Sequence, residues 1–164
     1  MSEITRTVEL LRENWEEDPP DQDRKEPVPQ PTIVEEGEIE SRSFDYSQSD
    51  VIFVRDGGFP VVEPASVGFR DQRLESLLDI DIRTARGRKR LEGEDIRGEY
   101  EGLAGEVERI FRKFRLGYGG YDVIFLETYD DQIGDYGAQI YVGVWNIRLV
   151  SYAEPIDVDT EYPQ

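Results

Sequence analysis

Leu74-Glu75-Ser76-Leu77-Leu78-Asp79-Ile80-Asp81-Ile82-Arg83-Thr84 is the stretch on which the reading of this chain turns. In an extended backbone successive side chains point to opposite faces. Leu74, Ser76, Leu78, Ile80, Ile82 and Thr84 therefore share one face, and Glu75, Leu77, Asp79, Asp81 and Arg83 the other. A largely apolar face backed by a mostly charged one predicts a strand in a sheet that is covered on one side.

Downstream, the period changes. Tyr100, Leu103, Val107, Ile110, Phe111 and Phe114 recur at helical spacing and predict an amphipathic helix, with Arg112, Lys113 and Arg115 in its last turn and Gly117 to stop it. Gly102 and Gly105 within it suggest a close approach to the sheet. Two strands end the ordered region, Tyr121–Thr128 and Ile140–Tyr152, joined by the Asp- and Gly-rich connector Tyr129–Gly137 as a hairpin loop. Upstream, Val51-Ile52-Phe53-Val54, bounded by Asp50 and Asp56-Gly57-Gly58, predicts a short buried strand. Phe59–Glu63 and Ser66–Arg70 read as further strand pieces interrupted by Pro64.

The first sixteen residues predict a helix, since Ile4, Val8, Leu11 and Trp15 fall on one face. Residues 17–31, with five prolines and a run of acids, read as a solvated, extended linker. Residues 32–50 stay acidic, with short strands at Thr32–Val34 and around Phe44–Tyr46. The expected organisation is an N-terminal helix (1–16), an acidic Pro-rich arm (17–50), a core domain (51–153) and an acidic tail (154–164) that frays or passes to a partner. The expected fold class is α+β: an antiparallel β-sheet of about four to five strands, with the N-terminal helix and one long amphipathic helix packed on one face.

Composition narrows the function. Asp and Glu number 37 against 19 Lys and Arg, giving a net charge of −18 over 164 residues. Such a surface repels nucleic-acid phosphates and anionic lipid. Lys25, Lys89 and Lys113 are the only lysines, the other basic residues being Arg. Acid-rich, lysine-poor chains suit concentrated salt, where a Debye length of roughly 3 Å at 1 M removes most self-repulsion. The acid excess extends beyond residue 50, so halophilic origin is expected. Cys and His are absent, which excludes disulfides, thiol nucleophiles, the usual zinc sites and serine–histidine triads. No run approaches eighteen apolar residues, and no charged-then-apolar leader opens the chain, so a soluble, non-secreted protein with no membrane partner is expected.

Two constellations could carry chemistry. Arg83, Arg86, Arg88, Lys89 and Arg90 form a basic cluster placed in the connection between the long strand and the helix, which suggests a loop. It suits an acidic patch on another subunit, or balances its own acidic surroundings, or contacts DNA. Asp79 and Asp81 share a strand face with Glu75 and could hold a divalent metal as nucleases do, yet no Glu-x-Lys follows. A solvated face or a salt-bridged subunit contact is the stronger reading. Gly117-Tyr118-Gly119-Gly120 leaves a helix and enters a strand, opposite to a phosphate-cradling loop. Asp130, Asp131 and Asp135 lack the oxygen ladder of a calcium loop. No catalytic, cofactor or metal site is expected. Asp79, Asp81 and the basic cluster are the candidate subunit or partner contacts.

The order of elements resembles the tail terminator (tail completion) proteins of long-tailed viruses. The resemblance runs over residues 1–16 and 50–152: the helix with Ile4, Val8 and Leu11, the strand Val51–Val54 leading to Phe59–Val62, the alternating strand Leu77–Thr84, the helix Leu103–Phe114, and the final strands with Ile140-Tyr141-Val142-Gly143-Val144-Trp145. It implies a catalytically silent, six-membered homo-oligomeric ring that ends tail-tube growth. Such a ring joins the tail tube protein to the head-side connector protein, with DNA only as passing cargo. Assembly in the host cytoplasm, residence in the virion neck and a virus of a halophilic archaeon follow from the same resemblance and the composition. The long linker departs from compact members. It leaves open a head–tail adaptor or stopper, and the composition also allows a haloarchaeal protein-binding module.

Overall fold

The computed structural model describes residues 3–20, 26–35, 50–58, 61–64, 72–93, 100–116, 123–132 and 140–153. Its spine is the thirteen-residue strand β4 (Gln72–Thr84). Leu78, Ile80 and Ile82 are at most 1% exposed and lie under the helices, as their alternation demands. Around β4 stand β1 (Thr32–Glu35), β2 (Val51–Asp56), β3 (Val61–Pro64), β5 (Val123–Gln132) and β6 (Tyr141–Ala153). The sheet order is β1-β2-β4-β6-β5, with β3 paired to β4 beyond the end of β2.

Register converts the pattern of one strand into a layer. Ile80 lies between Val54 and Trp145, Ile82 opposite Ile52, Leu78 opposite Ile147, and Leu149 opposite Ile124. Every one of these side chains enters a single core with three helices, α1 (Glu3–Asn14), α2 (Arg88–Glu92) and α3 (Gly102–Lys113). The fold is therefore α+β, with its helices on one face of the sheet. Burying an aliphatic side chain of this kind stabilises the fold by about 1.5–3 kcal/mol.

The sheet is mixed rather than wholly antiparallel. β1 runs parallel to β2, with Ile33 beside Ile52, while every other pairing is antiparallel. Pro64, read as an interruption, closes β3 opposite Gln72. The expected strands around Phe44–Tyr46 and Ser66–Arg70, the Gly117 stop and residues 133–137 of the hairpin connector lie outside the described residues, as does the segment 154–164.

The reading of residues 17–31 as a solvated linker is corrected at Val28. This side chain is 3% exposed and belongs to the core. Its N–H donates to the Glu17 carbonyl at 2.8 Å, and its own carbonyl accepts the Trp15 indole N–H at 2.9 Å. Arg12 donates to the Ile33 carbonyl, tying α1 to β1. A twelve-residue helix is marginal alone. Here Val8, Leu10 and Leu11 bury it against β1, β2 and α3.

The two helix glycines serve a different neighbour from the expected one. A side chain at Gly102, whose φ is +64°, would meet the Arg90 carbonyl at 2.3 Å, and one at Gly105 the Tyr100 carbonyl at 2.4 Å. Gly102 lets α3 start against α2, and Gly105 makes room for the Tyr100 backbone just before α3; neither serves an approach to the sheet. Among the described residues no helix is long and apolar enough to cross a membrane.

Candidate functional site: a charged sheet face and a basic helix

The side of the sheet away from the helices carries Arg55, Asp79, Asp81 and Arg83. Asp81 is 2% exposed and accepts from Arg83 Nε and Nη2 at 2.9 Å each. Arg55 Nη2 approaches the same carboxylate at 3.0 Å. The Arg83 guanidinium also stacks over Phe53, 5.6 Å from the ring centroid. Both Asp81 oxygens are thus committed to cations. Burial raises the pKa of Asp79, with Arg55 opposing and Asp81 adding to the rise. Further along this face Arg148 links Glu75, at 2.9 Å, to Glu127. Among the described residues no group of three or more acidic side chains is arranged to hold a metal ion.

Only part of the cluster at residues 83–90 is a loop. Arg83 stands in β4, Arg86 in the bend that follows it, and Arg88, Lys89 and Arg90 in the short helix α2, and these cations find acceptors within the same chain. Arg90 Nε reaches Asp50 Oδ2 at 2.8 Å and its Nη2 donates to the Pro29 carbonyl at 2.9 Å. Arg86 Nε stands 3.9 Å from Asp50 Oδ1, which also accepts from the Thr84 hydroxyl at 2.5 Å. Lys89 reaches Glu26 at 3.2 Å. Arg88 bridges Glu92, at 2.6 Å, and Asp131, at 3.5 Å. The basic cluster and the acidic arm, opposite in sign, do meet. They meet inside one subunit, where Asp50, only 2% exposed, is the anchor.

A second group was not singled out from the sequence. The register shift between Leu126 and Thr128 is a β-bulge that gives β5 an extra residue at Glu127. Ile124 and Leu126 face the helices before it. After it, Tyr129 and Asp131 face them, where unbroken alternation would have turned both away. Tyr129 then packs on Tyr100 and Trp145, with ring centroids 4.5 and 4.9 Å away. The Trp145 indole donates to the Ala104 carbonyl at 3.0 Å. The Tyr129 hydroxyl is buried directly over Gly143, where a Cβ would meet it at 2.1 Å, and makes no well-formed hydrogen bond among the described residues, with Glu92 nearby. Burial, then the charge of Glu92, pushes its pKa well above the usual phenol value. Asp131 is raised as well, first by burial and then by Glu92, with Arg88 opposing.

The third group is a buried ion pair on α3. Glu106 is fully buried and Arg109 is 8% exposed. Arg109 also donates to the Asn14 carbonyl at 2.9 Å, and Glu106 accepts the Glu16 N–H at 2.7 Å. Together they satisfy backbone groups that the end of α1 leaves open. The signal was present in the sequence: Glu106 falls three residues after Leu103 and four before Ile110, on the apolar stripe itself.

At the end of α3 the pattern reverses. Lys113 and Arg115 are exposed, and neither side chain has an ion pair or hydrogen bond among the described residues. Lys113 lies over the Phe114 ring, 5.6 Å from its centroid. Leu116 beside them is 81% exposed. The described charged groups are thus mostly engaged in holding the fold, and this corner carries its cations outward. No protein-family model matches the chain, and no curated protein matches it.

Proposed function

We propose that this chain is a structural virion protein of the head–tail junction, a subunit of a closed ring that ends the tail tube and joins it to the head-side connector. The observation that carries the reading is the element order: an N-terminal helix, short strands before one long central strand, the amphipathic helix, and a closing pair of long strands, with the helices on one face. That is the order by which the sequence resembles tail terminator proteins. The charged residues that might have formed a reaction centre support the same reading. Asp81, Arg83, Asp50, Glu106 and Arg109 are engaged in ion pairs that position strands and helices.

The partners in this reading are sister copies, the tail tube protein and the head-side connector protein. A net charge of −18 gives a passing DNA molecule little to bind, which suits a conduit. Arg86, Arg88 and Lys89 are paired within the subunit yet half exposed, so they remain candidates for the contact between copies. Size-exclusion chromatography with light scattering in molar KCl tests the proposal. A single closed oligomer is expected; a monomer at every salt concentration rejects it.

A further inference from the structure

Among the described residues one sheet edge and one corner remain largely uncovered. β5 ends the sheet and pairs, among the described residues, with β6 alone. Beyond Ile124, the outward backbone groups of β5 meet no partner strand among the described residues and form a template for another strand. Phe125 on this strand is 45% exposed, under the Arg148 guanidinium. The strand begins where α3 ends, since the Ile124 N–H donates to the Arg115 carbonyl at 3.0 Å. The edge therefore runs from the corner that holds Lys113, Arg115 and Leu116.

The chain contains a segment with the complementary pattern. Ile156, Val158, Thr160 and Tyr162 alternate with Asp157, Asp159 and Glu161. This period of two places carboxylates on one face of an extended strand and the larger apolar groups on the other. Register fixes where the segment departs. Val150 on β6 lies opposite Val123 at the start of β5, so β6 runs on past that corner to Ala153. Residues 154–164 span roughly 36 Å when extended at about 3.3 Å per residue, enough to leave the subunit and follow a ten-residue edge.

We propose that residues 154–164 of one copy add as a strand to the β5 edge of a neighbouring copy, with their carboxylates on Lys113 and Arg115 and their apolar side chains on Leu116 and Phe125. Leu116, 81% exposed, offers apolar surface that the added strand would cover. The contact joins two different surfaces of one subunit, the kind of head-to-tail contact that generates a ring. Backbone hydrogen bonds supply the affinity and the alternating side chains the register. This inference rests on the assembly reading above and names the surface that makes the assembly.

The test compares four full-length or shortened proteins by light scattering in molar KCl, with melting curves recorded for each: the wild type, Lys113→Glu/Arg115→Glu, a chain ending at Ala153, and Lys113→Glu/Arg115→Glu combined with Asp157→Lys/Asp159→Lys. The expected result is an oligomeric wild type. The charge-reversed and shortened chains should need more than roughly tenfold higher concentration to assemble, with melting unchanged. The combined swap should restore assembly. Assembly of the first two variants at wild-type concentrations overturns this inference and leaves the ring reading standing. A shortened chain that loses stability instead of assembly overturns it too, since the segment would then serve its own subunit. A wild type that stays monomeric at every salt concentration overturns both.

Discussion

Arg109 holds both oxygens of Glu106 from one turn further along α3, through Nε at 2.6 Å and Nη2 at 2.8 Å, in a setting where neither side chain reaches water freely. Removing one partner leaves the other as an uncompensated buried charge, which costs about 3–5 kcal/mol. Glu106→Gln and Arg109→Met should each lower stability by that amount in urea denaturation, and Arg109→Met should also loosen the end of α1 because the Asn14 carbonyl loses its donor. The double substitution Glu106→Leu/Arg109→Met should recover part of the loss, since no unpaired charge remains, while the Asn14 carbonyl and the Glu16 N–H still lose these partners. Single variants within about 0.5 kcal/mol of the wild type, the range of ordinary surface substitutions, would contradict this role.

Tyr129 and Gly143 compete for one space. Gly143→Ala should destabilise the fold, because its Cβ and the Tyr129 hydroxyl cannot coexist at 2.1 Å. Tyr129→Phe deletes a buried hydroxyl that makes no well-formed hydrogen bond among the described residues, so it should leave stability unchanged or raise it by up to about 1 kcal/mol. In the double variant the two effects should not add: Tyr129→Phe should relieve part of the Gly143→Ala defect. Additive free energies in the four-member cycle would show that the two residues do not contend.

Asp131 gives the fold a specific pH response. Its pKa is raised in the folded chain by burial and by Glu92, against the pull of Arg88, so the folded state binds this proton more readily than the unfolded state. Its contribution is complete below the ordinary aspartate range and is lost as pH rises through the elevated folded value. Asp131→Asn should therefore flatten the fall in stability across the window just above the ordinary aspartate range, and should not destabilise the protein at neutral pH. Denaturation curves at a series of pH values check this; parallel wild-type and variant profiles would refute it.

The arm segment is clasped by α2. With Lys89 on Glu26 and Arg90 on both Asp50 and the Pro29 carbonyl, Lys89→Ala/Arg90→Ala should release residues 26–31 before the rest of the domain. Amide hydrogen exchange at Val28, whose N–H is bonded to the Glu17 carbonyl, reports the release. Exchange there should accelerate at least roughly tenfold, while Ile80 and Ile82 keep their protection, the loss of one charge-assisted hydrogen bond being about 1.5–3 kcal/mol. Unchanged exchange at Val28 would show that its apolar burial alone holds the strap.

The central architecture was legible because it repeats. Leu78, Ile80 and Ile82 on β4, and Leu103, Val107, Ile110 and Phe111 on α3, occupy positions that a period of two or of 3.6 dictates, and all are buried. What escaped has no period. Val28 stands alone between Pro27 and Pro29, and a single apolar residue among prolines carries no pattern. β1 contributes one fully buried side chain, Ile33, too little to announce a parallel partner. The bulge at Glu127 breaks the alternation that would have placed Tyr129 and Asp131 correctly. The contact residues show the same limit. Asp79, Asp81 and the cluster 83–90 were visible as charges, but sign alone could not tell a partner in the same chain from one in another. Asp50, which anchors Arg90, read only as the polar boundary of a strand.

The account stands on copies of this chain closing on one another. Electron microscopy of the purified full-length protein in molar KCl tests that most directly. Class averages should show rings of one size with rotational symmetry, six-fold if the resemblance to tail terminators carries through. A field of single compact particles, the size of one 19.0 kDa chain and unchanged across concentration and salt, would contradict the account.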